Sequence, residues 1–319
     1  MIIVTGGAGF IGSNLVRGLN RAGHDDILVV DDLTDGVKFR NLADCRISDY
    51  WDIEQLQLFV EHNQSFPGEV AALFHQGACT DTTEWDGRYM MQNNYNYSKL
   101  LLHYCLKNRL PFIYASSGSV YGTRQKFREV PENEAPVNVY GYSKYLLDLY
   151  VRRISGKAQS QVAGLRYFNV YGPREQHKAN MASVVYHFNE QIRSSGCIKL
   201  FRGSGGFADG EQRRDFIHVD DVVGVNLWFL EHRSTSGIFN VGTGQSRSFN
   251  DVANLVIQWY GKGQIQYIDF PESLKDSYQS FTEADIRALR ETGYRQDFIS
   301  LESGVKQYLD RLNGKHGFD

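Results

Sequence analysis

Cysteine is scarce in this sequence, and the four present (Cys45, Cys79, Cys105, Cys197) form no CxxC pair and no metal-ligand spacing. That argues against a disulfide framework or a structural zinc site and leaves free thiols in a reducing compartment. Charge of one sign is not in surplus either. Lys and Arg number 34 against 37 Asp and Glu, a net of −3, so nothing electrostatic points to nucleic acid or an anionic membrane. No apolar run is long enough to span a bilayer, and no basic leader precedes the β-branched run that begins at residue 2. A cytoplasmic protein is expected. Internal repeats, low-complexity tracts and an interdomain linker are also missing, so any second lobe has to be built from inserts. Apolar residues are plentiful, at 42% of 319, with 19 Tyr and 19 Phe. That suffices for one large α/β domain, or for a dinucleotide-binding domain with a smaller lobe.

Ile2-Ile-Val-Thr5 breaks into Gly6-Gly7-Ala8-Gly9-Phe10-Ile11-Gly12, followed by apolar residues at helical spacing. Gly6, Gly9 and Gly12 permit a tight strand-to-helix turn and a close backbone approach to a pyrophosphate at the positive helix N-terminus. Far downstream stands Tyr140-Gly-Tyr-Ser-Lys144. Residues four apart share a helix face, so Lys144 is expected to lower the phenol pKa of Tyr140. Glycine turn and Tyr-Lys pair together point to a redox enzyme.

Apolar, β-branched runs recur at 2–5, 27–30, 71–74, 112–115 and 162–166. Helical stretches separate them, roughly at 10–21, 53–61, 87–108 and 140–154. Strands alternating with helices predict a parallel, doubly wound sheet whose strand ends carry the ligand. After Pro173 the rhythm changes. A helix is expected around 182–192, then a mobile glycine-rich loop over 201–214. The runs at 214–221 and 239–242 are both expected to rejoin the sheet, and the tail from about 246 reads as helices plus one strand at 265–270. The expected division is residues 1–170 with about 215–245 for the dinucleotide, and about 171–214 with 246–319 as a smaller α/β substrate lobe.

Asp31-Asp32 follows the glycine turn by about twenty residues, where an acid accepts ribose hydroxyls. Lys38 lies just beyond and could pair with a 2′-phosphate, which leaves NADP and NAD both open; Ile53, after Asp52, could meet adenine through its backbone. Hydride transfer at an alcohol carbon needs a base for the hydroxyl proton and a donor for the growing carbonyl oxygen. Tyr140 supplies the first, steadied by Lys144. Ser117 supplies the second, with Ser116 and Ser119 as close competitors.

Gly6–Gly12, Ser117, Tyr140/Lys144 and Arg166-Tyr-Phe-Asn-Val-Tyr-Gly-Pro173 together resemble the extended short-chain dehydrogenase/reductase superfamily. Thr82-Thr-Glu-Trp-Asp-Gly87, Tyr89-Met-Met91, Asn93-Asn-Tyr95, Asn138–Lys144, Gly172-Pro-Arg-Glu-Gln-His-Lys178 and Met181-Ala-Ser-Val184 narrow the resemblance to its nucleotide-sugar epimerases acting on an ADP-linked heptose. The resemblance implies a homo-oligomer with tightly held NADP that is reduced and reoxidised in one turnover. The implied substrate is ADP-D-glycero-β-D-manno-heptose, a lipopolysaccharide core precursor, inverted at C6. It further implies Tyr140 and Lys178 as acid/base groups for the two epimers. Cofactor contacts would come from Phe10, Ile11, Gln76, Gly77, Ala78, Cys79, Thr80, Asn93, Lys144, Val170 and Lys178, and substrate contacts from Ser117, Asn169, Asn180, His187, Phe201, Arg202, Gly203, Ser204, Arg214 and Tyr278.

Two departures stand out. The loop 205–212 is longer than the family pattern, which leaves Arg213 and Arg214 as alternative pyrophosphate anchors. Asp32 replaces an uncharged amide and would repel a 2′-phosphate. Dehydration is disfavoured because Ser117-Gly-Ser-Val-Tyr121 carries no carboxylate. A UDP-hexose 4-epimerase and a dinucleotide-sensing scaffold remain as alternatives.

Overall fold

The computed structural model describes residues 1–271 and 278–314. Twelve strands occur among them: β1 (Ile2–Thr5), β2 (Ile27–Asp31), β3 (Asp49–Asp52), β4 (Ala72–His75), β5 (Phe112–Ser117), β6 (Val162–Tyr167), β7 (Asn169–Tyr171), β8 (Cys197–Phe201), β9 (Arg213–His218), β10 (Gly237–Val241), β11 (Ser246–Ser248) and β12 (Gln264–Ile268). The α-helices are α1 (Phe10–Arg21), α2 (Ile53–Glu61), α3 (Gly87–Met90), α4 (Tyr97–Lys107), α5 (Val139–Ser155), α6 (Val184–Ser195), α7 (Val219–Glu231), α8 (Phe249–Tyr260), α9 (Arg287–Glu291) and α10 (Leu301–Leu312).

Seven strands form one parallel sheet in the order β3-β2-β1-β4-β5-β6-β10. Both faces are covered, which is why its inner strands read as continuous apolar runs and not as alternating ones. On one face α1 and α7 contribute Leu15, Val16, Leu19, Val222, Val225 and Phe229; on the other lie Leu56, Leu101, Leu102 and Leu147. Strand order reverses between β1 and β4, and open α/β sheets bind ligands in the crevice at such a point.

The expected doubly wound sheet is present, with one correction. Of the two later runs expected to rejoin it, only β10 does, in register beside β6. β9 instead pairs parallel with β7 and antiparallel with β11 in a separate three-stranded sheet. β10 takes the edge beside β6, and the apolar run at 214–219 pairs in the smaller sheet. β8 and β12 form a parallel two-stranded sheet, and a further core gathers around Val185, Phe188, Ile198, Val252, Val256 and Leu309.

The glycine-rich loop is also more ordered than its composition suggests. Gly203 N–H donates to Asp209, Gln212 Nε2 to the Arg202 carbonyl and to Ser204 Oγ, and Asn250 Nδ2 to Asp209 O and Glu211 Oε1. Polar side chains at its ends replace the hydrogen bonds that regular structure would supply. Among the described residues no helix is long and apolar enough to cross a membrane, and no cluster of His, Cys, Asp or Glu could hold a metal.

Candidate active site

The glycine turn sits at the crevice where strand order reverses. Gly6 has φ +67, and a Cβ there would meet Gly77 N at 2.5 Å, so the turns after β1 and β4 touch backbone to backbone. Gly9 N–H bonds the Gly6 carbonyl at 3.0 Å, and Gly12 lies in the first turn of α1. No side chain caps α1 at Gly9, whereas α2, α3, α5, α6, α7, α8 and α10 all have side-chain caps. Uncapped N–H groups at the positive end of a helix suit a pyrophosphate. The residues present therefore fit a dinucleotide.

Asp31 does more than the sequence suggested. Its carboxylate accepts Ala8 N–H at 2.7 Å, Asp32 N–H at 2.8 Å and Lys38 Nζ at 2.7 Å, so it also holds the glycine turn. Asp32 is exposed and accepts Thr34 N–H. Ile53 opens α2 beyond the end of β3.

A cavity of about 520 Å³ opens beside this turn, a size usual for ligand sites. Its lining includes Phe10, Ile11, Gln76, Ala78, Thr80 and Val170 from the expected cofactor set. Ser117, Tyr140, Lys144, Asn169 and Lys178 join them, with Phe201, Arg214 and Tyr278 at the other end. Gly77 and Cys79 stand outside that lining. Cys79 is gripped through its main chain by Asn94, whose amide gives and takes hydrogen bonds of 2.8 Å. Asn94 lies in a π-helical turn (91–96) joining α3 to α4, and its neighbour Asn93 bonds its own helix at the Tyr89 carbonyl. Such turns often mark functional positions.

Asn138 caps α5 and starts it one residue before Tyr140. A Cβ at Gly141 would come within 2.8 Å of the Ser119 carbonyl, so the missing side chain lets α5 approach the serine segment. The three competing serines separate. Ser116 donates to Asp148, and Ser119 N–H donates to Ser117 Oγ. Ser117 is the one hydrogen-bonded to the Tyr140 phenol.

The expected electrostatic coupling requires correction. Burial pushes the Tyr140 phenol above its ordinary value, against the hydrogen bond from Ser117. Lys144 is not among the groups that shift it, and its Nζ donates to the Ala115 carbonyl at 2.9 Å. Burial lowers Lys144 itself to about 8.

Lys178 reaches the same cavity from a tightly fastened segment. Arg174 bonds both carboxylate oxygens of Asp44 at 2.7 Å, and Glu175 accepts Ser183 N–H and Oγ at 2.6 Å. Ala179 follows with φ 46 and ψ −121, a backbone state costing roughly 1–3 kcal/mol outside glycine and typical of functional turns. Lys178 Nζ lies 5.5 Å from the Phe10 ring centroid, and burial lowers its pKa while Glu175 opposes the shift. Asn180 and His187 sit together beside the cavity, outside its lining, 3.3 Å apart from carbonyl to ring nitrogen.

Of the two arginines, Arg214 lines the cavity, its guanidinium 4.8 Å from the Tyr278 ring and 5.6 Å from Phe249. Arg213 turns away and bonds Ser246. Gly203 and Ser204 line a second cavity of about 460 Å³ that shares Tyr278 with the first. Arg202 is exposed and paired with Asp269. Asn94, Asp148 and Thr282, which donates to Asn169, were not singled out by the sequence. Asp148 could have been, since it repeats the four-residue step of Tyr140 and Lys144.

Residues 2–242 match the NAD dependent epimerase/dehydratase family. The chain belongs to that family. It is 58% identical over 312 residues to the ADP-L-glycero-D-manno-heptose-6-epimerase of Alkalilimnicola ehrlichii, covering 98% of this chain and 97% of that one. Among solved structures, the Helicobacter pylori ADP-L-glycero-D-manno-heptose-6-epimerase superposes with a TM-score of 0.84 at 32% identity, over 98% and 96% of the chains. A Thermus thermophilus UDP-glucose 4-epimerase in complex with NAD gives 0.80 at 25% identity, over 99% of both. Within the family the chain groups with the ADP-L-glycero-D-manno-heptose-6-epimerases.

Proposed function

We propose that this chain inverts C6 of ADP-D-glycero-β-D-manno-heptose through a transient 6-keto sugar, with NADP held in the crevice. The observation that carries the reading is the meeting of Tyr140, Lys178 and Ser117 in one cavity. The sequence relatives supply the heptose and the ADP.

The glycine turn, Asp31 and Lys38 would hold the nicotinamide cofactor, which would supply the acceptor and later the donor of the C6 hydride. The protein's part is proton transfer and holding. Burial favours the neutral phenol of Tyr140 and loosens the hold of Lys178 on its proton, so each can exchange a proton with O6 of the epimer it faces. One group serves O6 of each epimer, and their roles exchange in the reverse direction. Ser117 holds O6 as its charge changes. Because C6 is exocyclic, the ketone presents its other face by rotating a short side chain while the ring stays held near Asn169 and Phe201. Arg214, at the boundary of the two cavities, suits the pyrophosphate by its planar fork.

Lys38 supports the NADP preference. Its ammonium stands at the ribose acid Asp31, where a 2′-phosphate would fall; burial chiefly lowers the neighbouring His177 imidazole, with Lys178 and Lys38 adding to that against Asp31 and Asp35. Epimerisation is favoured over dehydration because no Asp or Glu lines the cavity among the described residues. Incubating the purified protein with ADP-D-glycero-β-D-manno-heptose is expected to give the L-glycero epimer without added cofactor, followed by NMR of the sugar. Preferential turnover of UDP-galactose would overturn the substrate.

A further inference from the structure

Asp148 lies on α5 one turn beyond Lys144 and two beyond Tyr140, and it is fully buried. Three elements meet at its carboxylate. Oδ1 accepts the Tyr114 phenol at 2.9 Å, while Oδ2 accepts Ser116 Oγ at 2.9 Å and Arg166 Nε at 2.8 Å. Tyr114 and Ser116 occupy one face of β5 and Ser117 the other; both serines reach the cavity lining, but only the Ser116 hydroxyl is taken by Asp148. Arg166 stands opposite Ser116 in β6 and pairs with Glu134, which also binds Arg152 from the next turn of α5.

We infer that Asp148 is a positioning residue of the reaction: it fixes the helix carrying Tyr140 and Lys144 against the strand that presents Ser117. The inference rests on the proposed roles of those three residues. The fit has little slack, because α5 already touches the Ser119 carbonyl at Gly141. Loosening Asp148 would let Tyr140 drift from Ser117 without removing any group that meets the substrate, and small misplacements of reacting groups cost rate far more than affinity.

A charge consequence follows from the same geometry. Asp148, Cys79, His75 and Tyr140 stand around Lys144. Burial lowers the ammonium, Asp148 is the main group raising it, Cys79 adds to that, and His75 is held neutral by burial. Around Asp148 itself stand Lys144 and Arg152 on α5, Tyr114 on β5 and Arg166 on β6, with Glu134 behind. Asp148→Asn removes the carboxylate, so Lys144 should lose its proton at a lower pH than in the parent. If turnover needs the ammonium, the alkaline fall in rate begins earlier.

The experiment compares kcat, KM and pH profiles of the holoenzyme carrying Asp148→Asn, Asp148→Glu or Ser116→Ala. Asp148→Asn should lower kcat at least about tenfold with KM nearly constant, and move the alkaline limb acidward by about one pH unit, the scale of a removed neighbouring charge. Asp148→Glu should restore the limb. Ser116→Ala, which keeps the carboxylate, should lower kcat several-fold and leave the limb in place. Carbon-13 NMR of labelled lysine, with Lys144 identified by its loss in Lys144→Arg, reads the titration without turnover. An Asp148→Asn profile superposable on the parent's overturns the inference, as does a rate loss matched by loss of folded protein with an unmoved limb. If Asp148→Asn does not fold, a parental kcat in Ser116→Ala overturns it instead. An active Tyr140→Phe would fail the underlying reading alone, whatever the Asp148 variants do.

Discussion

Tyr140→Phe is expected to lower kcat by at least about 10²-fold, equivalent to about 3 kcal/mol of transition-state stabilisation. The variant removes one hydroxyl whose partner is Ser117, and the ring keeps its place on the first turn of α5. Thermal melting and retained nicotinamide should therefore match the parent. The pH dependence has a definite sign. Lys144, lowered by burial to about 8, is charged below that pH and neutral above it, so if turnover needs its ammonium the parent rate should fall as pH rises through about 8. Tyr140, raised by burial, stays protonated across the same range and does not cause that limb. Steady-state kinetics from pH 6 to 9.5 check both points, and near-normal activity of Tyr140→Phe would remove Tyr140 from the mechanism.

Lys178→Met should be as damaging to interconversion and much milder for binding. Methionine keeps the apolar stem against Phe10 and deletes only the amine. A loss of about 10²–10⁴-fold in kcat is the scale for a missing acid/base group. Affinity for ADP, measured by calorimetry, should change by less than about threefold, because Arg214 and the second cavity lie at the far end of the site. Weakened ADP-sugar binding with parental kcat would make Lys178 a binding residue and end the two-group account.

The parts of this protein legible in its sequence are those governed by local rules. β1 and α1 have the bounds that the β-branched run and the glycine turn imply, and α2 begins where Asp52 can cap it. The three-stranded sheet was not legible. The run at 214–219 announces a strand, but its partners β7 and β11 are set by which sheet edge is free, a property of the assembled fold. In the site, chain position favoured Ser117 but left Ser116 and Ser119 as close competitors. Ser116 and Ser117 both line the cavity, and the hydrogen bond of Ser116 Oγ to Asp148, from another element, is what separates them. The Ala115 carbonyl that takes the Lys144 proton donor belongs to another element 29 residues away, and helical spacing could not disclose it. Lys178 shows the opposite limit. Its sequence surroundings are those of a surface loop, and only the ion pair of Arg174 with Asp44 and the bonds of Glu175 to Ser183 explain how that loop is turned into the cavity.

The central claim is that hydride leaves C6 and returns to it within one site. Substrate carrying deuterium at C6, turned over in ordinary water, tests it most directly. The account predicts an L-glycero product with the deuterium still at C6, and no deuterium at C6 when unlabelled substrate reacts in heavy water. Loss of the label to solvent, or its entry from solvent, would show proton abstraction at C6 and contradict the redox mechanism.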